Sequence, residues 1–284
     1  RLPLVKPTGF REYDARWLLG PDINLLGIQA VGLGLGTYLH ERGLRPDIVT
    51  GHDFRSYSGA VKNALTLGLL AAGCRVHDIG LALTPTAYFA QAELAIPAVA
   101  MVTASHNENG WTGVKMGCDG PLTFGPDEMA RLREIVLGGL WQARDGGKLV
   151  HVGGMAERHI ADVAAGGTLE RRLKVVCACG NGTAGVFAPQ MLEAIGCEVV
   201  RLDCTLDHSF PRYNPNPEDL AMLAAIAEAV RDSGADVGLG FDGDGDRCGV
   251  VDNEGRAIFA DKIGVLLARE LSASHAGAIF VADI

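Results

Sequence analysis

Three carboxylates stand on alternate positions in "GLGFDGDGDRCGVV" (238–251): Asp242, Asp244 and Asp246, separated by single glycines and followed at once by Arg247. Like charges at that spacing repel and raise one another's pKa unless something positive sits among them, so the cluster asks for a metal ion. The glycines permit tight backbone curvature, and the arginine suits bidentate recognition of phosphate. A calcium-sensor loop is disfavoured, because counting from Asp242 its glycine and glutamate places hold Arg247 and Asn253. A solvated acidic turn is the competing reading of any isolated DxD. Three carboxylate oxygens leave a hard cation such as Mg²⁺ under-coordinated, and a phosphoryl oxygen is the obvious remaining ligand.

A second phrase, "VTASHNENGWTGVKMG" (102–117), carries Ser105 out of an apolar strand into a loop, with His106 and Asn107 behind it and Lys115 returning ten positions later after Gly113. The elbow GxSxG is absent, and an adjacent Ser-His pair does not readily hydrogen-bond in triad geometry, so acyl transfer is disfavoured. If Ser105 carried a phosphate, it would bring about two negative charges that a cation and Arg247 would balance.

These loops need a scaffold, and the sequence supplies an α/β one. Runs rich in β-branched residues at 47–53, 98–104, 174–180, 198–203 and 236–242 alternate with helical patterns at 58–73, 183–196 and 218–232. Parallel strands with ligand-binding loops at their carboxyl ends are expected. Residues 47–76 and 174–199 read as the same unit of strand, Gly-containing loop and helix, closing on "AAGCRV" and "AIGCEV". A hairpin pattern (248–259) and a helix pattern (260–272) then lead to "GAIFVADI", read as a further strand. The chain opens on Arg1 and stops on that strand, from which a fragment of a longer protein is expected: domains at 1–152 and 153–256, and the start of a third at 257–284.

The 284 residues, 48% hydrophobic and 21% charged, suit a soluble globular protein of about two domains. A net charge of −9 argues against a nucleic-acid partner held by a basic surface. The densest apolar run, 95–104, falls well short of the roughly 20 residues that span a bilayer, and no signal peptide opens the chain. None of the seven cysteines falls in a CxxC pair. They read as small buried hydrophobes in a reducing cytoplasm, neither a disulfide frame nor a zinc site.

Together the two loops resemble those of the α-D-phosphohexomutase superfamily, most closely its bacterial phosphomannomutase/phosphoglucomutase group. The similarity runs the whole length, through "GFREYDAR" (9–16), "GHDFRSYSG" (51–59), the serine loop, "CGNGTAG" (179–185), "FPRYNPNPED" (210–219) and "FDGDGDR", in that order. The resemblance implies a four-domain cytoplasmic isomerase with repeated mixed-sheet αβα domains, acting on a hexose phosphate and needing no membrane. In that reading phosphorylated Ser105 donates phosphate to a hexose 1-phosphate or 6-phosphate, the resulting hexose 1,6-bisphosphate turns over in the cleft, and the other phosphate returns to the serine. The bisphosphate also serves as activator. The resemblance makes Asp242, Asp244, Asp246 and Ser105 the Mg²⁺ ligands, Arg247 a phosphate contact and Lys115 the general acid/base, its proton poised by neighbouring cations. His106 and Asn107 orient the serine loop; Tyr13 and Arg16 face the cleft, joining Asn107, Lys115 and Arg247 in binding substrate. Two departures, Thr112 for the usual asparagine and Trp17 where glycine is common, put the local loop shape in question. The family's sugar loop and phosphate-binding fourth domain have no counterpart here, so little or no turnover is expected of this chain alone. The rival readings are a phosphoglucosamine mutase of the same superfamily and a non-catalytic metal-binding module.

Overall fold

A computed structural model describes residues 4–167 and 169–281. The first sheet contains β1 (Asp14–Leu18), β2 (Asp47–His52), β3 (Arg75–Leu81), β4 (Ala98–Val102), β5 (Trp111–Cys118) and β6 (Lys148–His151) in the order β1-β5-β4-β2-β3-β6. Only β5 runs against its neighbours. Helices α1 (Leu25–Glu41), α2 (Ser58–Ala71), α3 (Thr84–Glu93) and α4 (Pro126–Gly138) pack around this sheet, and α5 (Met155–Ala165) follows it. The second sheet contains β7 (Lys174–Ala178), β8 (Glu198–Leu202), β9 (Val237–Phe241), β10 (Cys248–Asp252) and β11 (Ala257–Ile258), ordered β11-β10-β9-β7-β8, with α6 (Ala188–Ala194) and α7 (Leu220–Ser233). The architecture is the mixed-sheet α/β class that the alternating patterns predict.

The orders β5-β4-β2-β3 and β10-β9-β7-β8 match strand for strand, including the single reversed strand, and an edge strand lies beyond it in both, β1 from the start of the first unit and β11 from the end of the second. The duplication is therefore larger than its Gly-Cys phrase. That phrase has a physical basis. Gly73 and Gly196 take φ of +79° and +99° just past α2 and α6, where a left-handed residue ends a helix, and Cys74 and Cys197 then turn inward at the mouth of β3 and β8. As a consequence the β4–β5 connection, which holds Ser105, and the β9–β10 connection, which holds the aspartates, occupy equivalent places in the two units. Both sit at the carboxyl end of a parallel strand, where α/β sheets receive ligands.

Helix α1 carries Gly27, Gly32, Gly34 and Gly36, each worth about 1 kcal/mol less than alanine in helix propensity. Its helicity comes from packing: a Cβ on Gly32 would lie 2.2 Å from the carbonyl oxygen of Leu65, and one on Gly68 of α2 would lie 2.0 Å from that of Gln29. The two helices touch backbone to backbone, which only glycine allows.

Helix α5 packs on both α3 and α6. Met155 is buried in the first unit's core with Val49, Ala87 and Met101, while Ala156 packs against Leu83, Cys177 and Phe187. On the same helix His159 stacks on Phe89 with ring centroids 4.9 Å apart and shares a hydrogen bond with Thr86 (2.9 Å). Burial lowers its pKa, with Asp162 opposing. The native state therefore disfavours the protonated ring, and stability contributed here is lost as pH falls below the ordinary histidine value near 6.5. Unfolding free energies measured between pH 7.5 and pH 5.5 should fall less steeply in His159→Gln than in the unaltered protein.

Beyond β11, α8 (Ala260–Ser274) has no buried residue. The strand expected at 277–284 does not form over 277–281, which pair with nothing in either sheet, and 282–284 lie outside the described residues. A strand needs a neighbouring ladder, and among the described residues this segment pairs with none.

Candidate active site

Ser105 adopts φ +53°, an uncommon left-handed conformation for a side-chain-bearing residue, and is 1% exposed. A buried network rooted in "GHDFRSYSG" holds it there. The Asp53 carboxylate accepts from the hydroxyls of Thr103 (2.9 Å) and Ser58 and pairs with the Arg55 guanidinium. Thr103 in turn accepts from the Ser105 amide (2.8 Å), and Arg55 donates to the carbonyl oxygens of Ser105 (2.9 Å) and Asn107. On the other side Arg16, itself buried, bonds Asp14 (2.7 Å) and the Asn107 side chain. The sequence offers Asp53 and Arg55 only as part of a recognised phrase; their hold on the serine loop is a contact across 50 residues.

The aspartate loop meets this serine directly. Ser105 Oγ donates to Asp242 Oδ2 (2.9 Å), and Nδ1 of His106 lies 3.4 Å from the same hydroxyl. Gly243 makes the approach possible: a Cβ there would stand 2.6 Å from the Ser105 carbonyl oxygen. Asp242 Oδ1 accepts from the amides of Asp246 and Arg247 (3.1 Å each), which curls the loop. Asp244 Oδ2 accepts from Thr84 (2.6 Å) and Lys115 (2.7 Å), and Lys115 also binds Asp246. Thr84, at the first turn of α3, anchors the loop to the first unit again through its amide and the Asp244 carbonyl (2.9 Å).

Electrostatically the three carboxylates outnumber the one cation bound among them, Lys115. Burial first, then Asp244 and Asp246, push Asp242 up to about 8. Asp244 goes the other way: burial would raise it, and Lys115 with Thr84 outweighs burial, so its pKa is lowered. Lys115 feels burial pulling it down and the two aspartates lifting it further, for a net rise. The expectation that cations poise this lysine is therefore corrected: its neighbours are carboxylates, which hold its proton. The His106 ring is lowered by burial, Arg247 and Arg16, and is neutral near pH 7.

One oxygen from each of Asp242, Asp244 and Asp246 can be chosen so that all lie within 4.8 Å of one another. Asp244 Oδ1 is buried and unpartnered. A three-carboxylate, all-oxygen donor set with an orphaned buried oxygen fits a hard divalent cation.

The remaining expected residues lie at the margins. Arg247 is half-exposed, 3.6 Å from Glu218, and lines a cavity of about 420 Å³ with Pro217, Cys248 and Phe259. Tyr13 is exposed just before β1. The two sequence departures lie opposite one another: Trp17 and Thr112 are register partners across β1 and β5. The Trp17 indole is fully buried, donates to the Lys6 carbonyl (2.8 Å) and fills the space over Gly9, so the pair sits in the ladder beside the serine loop without entering it.

The cysteines divide. Five are buried, Cys204 is half-buried and Cys248 is exposed. Their reading as uniformly buried hydrophobes holds for the first five alone.

Comparison with known proteins agrees with this scaffold. Residues 7–141 match phosphoglucomutase/phosphomannomutase alpha/beta/alpha domain I, and residues 157–255 match domain II of the same family. A phosphomannomutase/phosphoglucomutase from Pseudomonas putida is 35% identical over 284 residues, 100% of this chain and 60% of that protein. A probable phosphoglucosamine mutase from Methanothermobacter thermautotrophicus is 30% identical over 268 residues, 94% of this chain and 59% of that protein. The crystal structure of a phosphoglucomutase/phosphomannomutase family protein from Burkholderia thailandensis superposes with a TM-score of 0.87 at 29% identity, covering 95% of this chain and 60% of that one. The fold and its paired loops thus define a phosphohexomutase-type α/β protein. The chain belongs to the phosphoglucomutase/phosphomannomutase family, and it spans about 60% of the length of the relatives it matches.

Proposed function

We propose that this chain carries the phosphoserine and metal-binding parts of a phosphohexomutase that moves phosphate between C1 and C6 of glucose or mannose phosphates in the cytoplasm. The observation that carries the reading is the hydrogen bond from Ser105 Oγ to Asp242 Oδ2, which joins the nucleophile loop of one unit to the acidic loop of its duplicate. Asp242, Asp244, Asp246 and a phosphate on Ser105 would hold Mg²⁺, which when bound offsets negative charge on the transferring group.

The chain's own residues account for the rest. Ser105 Oγ carries the phosphoryl group and yields it to a sugar hydroxyl, the Ser Oγ–P bond breaking as the sugar O–P bond forms, which gives the hexose 1,6-bisphosphate. Lys115, held protonated at the rim of the acidic loop, gives its proton to Ser105 Oγ as that bond breaks and recovers one from the sugar hydroxyl, so the proton the sugar loses ends on the serine, and the relay runs backwards in reverse. A phosphate on Ser105 displaces the bond to Asp242 and adds charge beside three carboxylates, so phosphorylation and cation binding support each other. Arg247 and Tyr13 would meet the sugar phosphate, while Arg16 and Asn107 keep the loop in shape.

A phosphoglucosamine mutase is the weaker alternative, since higher identity falls on relatives named for mannose and glucose. In a protein that joins this chain to the family's sugar loop and fourth domain, phosphorylated Ser105 should pass its phosphate to glucose 1-phosphate or mannose 1-phosphate at least tenfold faster than to glucosamine 1-phosphate, measured as loss of phosphate from the protein. Equal or inverted rates would contradict this substrate assignment.

A further inference from the structure

Three cysteines converge behind the aspartate loop. Cys177 and Cys179 are two residues apart at the end of β7 and so share a face, and Cys204 follows β8, the parallel neighbour. The sulfurs of Cys177 and Cys179 stand 3.8 Å apart, and those of Cys179 and Cys204 3.5 Å. All three lie within 4.8 Å of one another. In a tetrahedral thiolate site with metal–sulfur bonds of about 2.3 Å, neighbouring sulfurs are about 3.8 Å apart. The trio thus already has the spacing of one face of a coordination shell.

The surroundings favour a soft ion. Cys177 and Cys179 are fully buried among Leu83, Ala184, Phe187 and Ala188, with no carboxylate or imidazole completing the group among the described residues. Cys204 is half-buried yet its sulfur points inward, toward the Cys177 carbonyl (3.2 Å). All three donor positions are thus turned away from solvent, Cys204 being the least enclosed residue of the three. An all-sulfur donor set selects thiophilic cations and rejects the hard ion that suits the aspartate loop.

We propose that Cys177, Cys179 and Cys204 form a thiolate site for a soft d¹⁰ cation, distinct from the aspartate loop. Three donors match Cu(I); Zn(II) would need a fourth ligand, such as water, to complete its shell. Binding releases thiol protons, so affinity falls as pH drops. The site also borders the machinery already described: Cys179 opens the loop whose Thr183 amide reaches the Gly243 carbonyl (3.3 Å).

The test is anaerobic titration of the fully reduced chain with Cu(I) against a chromogenic copper chelator and, separately, with Zn(II) against a zinc indicator. Expected is one equivalent of Cu(I) withheld from the chelator, with an ultraviolet thiolate-to-copper band. That binding should weaken at least 100-fold in Cys204→Ser, the least buried and least disruptive change, and in Cys179→Ser, and persist in Cys118→Ala. Circular dichroism and thermal melts would establish that the variants fold. One equivalent of Zn(II), lost in the same two variants, would support the site with zinc as its ion. Failure of both metals to bind, or binding unaffected in folded Cys204→Ser, would overturn the proposal.

Discussion

Replacing Arg55 with leucine should destabilise the protein by about 3–5 kcal/mol, the usual cost of removing one partner of a buried ion pair. Asp53 and Arg55 are almost wholly shielded from water, and the other partners of Asp53 are all neutral: the hydroxyls of Thr103 and Ser58 and the amides of Arg55 and Ala104. Without the guanidinium a buried carboxylate keeps two hydroxyls and two backbone amides but no countercharge, and the carbonyl oxygens of Ser105 and Asn107 lose their donor. The left-handed turn at Ser105 loses its brace at the same time. A melting temperature lower by roughly 6–20 °C is expected for a unit of this size. The double variant Asp53→Leu/Arg55→Leu should lose less than the sum of the two single changes, because it removes the charge that Arg55→Leu strands. Equal losses in the single Arg55 variant and in an exposed control such as Arg131→Leu would refute this account of the network.

Lys115→Met should slow phosphate transfer from Ser105 by about 10²–10⁴-fold, the range that positioned proton transfer contributes. The side chain is nearly buried, and its ammonium group bridges Asp244 and Asp246. Methionine keeps the length and apolar stem but supplies no proton. It also leaves the fully buried Asp244 without its countercharge, so the variant should depend more steeply on Mg²⁺ for its melting temperature. These two effects separate the roles: saturating Mg²⁺ should restore the melting temperature and leave transfer slow. Restoration of both would reduce Lys115 to an electrostatic placeholder.

Much of this was legible in the residues. Strands β2, β4, β7, β8 and β9 each come from a β-branched run, and their ends fall within two residues of the expected ones. The serine and aspartate loops were legible because their chemistry is local: alternate aspartates, and a serine leaving an apolar strand. Helix α1 was not, since four glycines argue against a helix and the reason for them lies in α2, some thirty-five residues away. Thr84, Asp53 and Arg55 escaped for the same cause, as each acts across a gap in sequence that periodicity does not register. The cysteine trio needed the pairing of β7 with β8 before Cys204 met the other two. Conversely, the expected strand at 277–284 was a correct reading of β-branched composition without the ladder that would realise it over 277–281.

The central claim is that Ser105 is the residue that takes up and yields phosphate. Its most direct test is the intact mass and phosphosite map of this chain before and after incubation with a hexose 1,6-bisphosphate and Mg²⁺, beside Ser105→Ala. One phosphate confined to Ser105, increased by the bisphosphate and absent from the variant, is the predicted result. Phosphate on other residues alone, or an equal mass gain in Ser105→Ala, would contradict it.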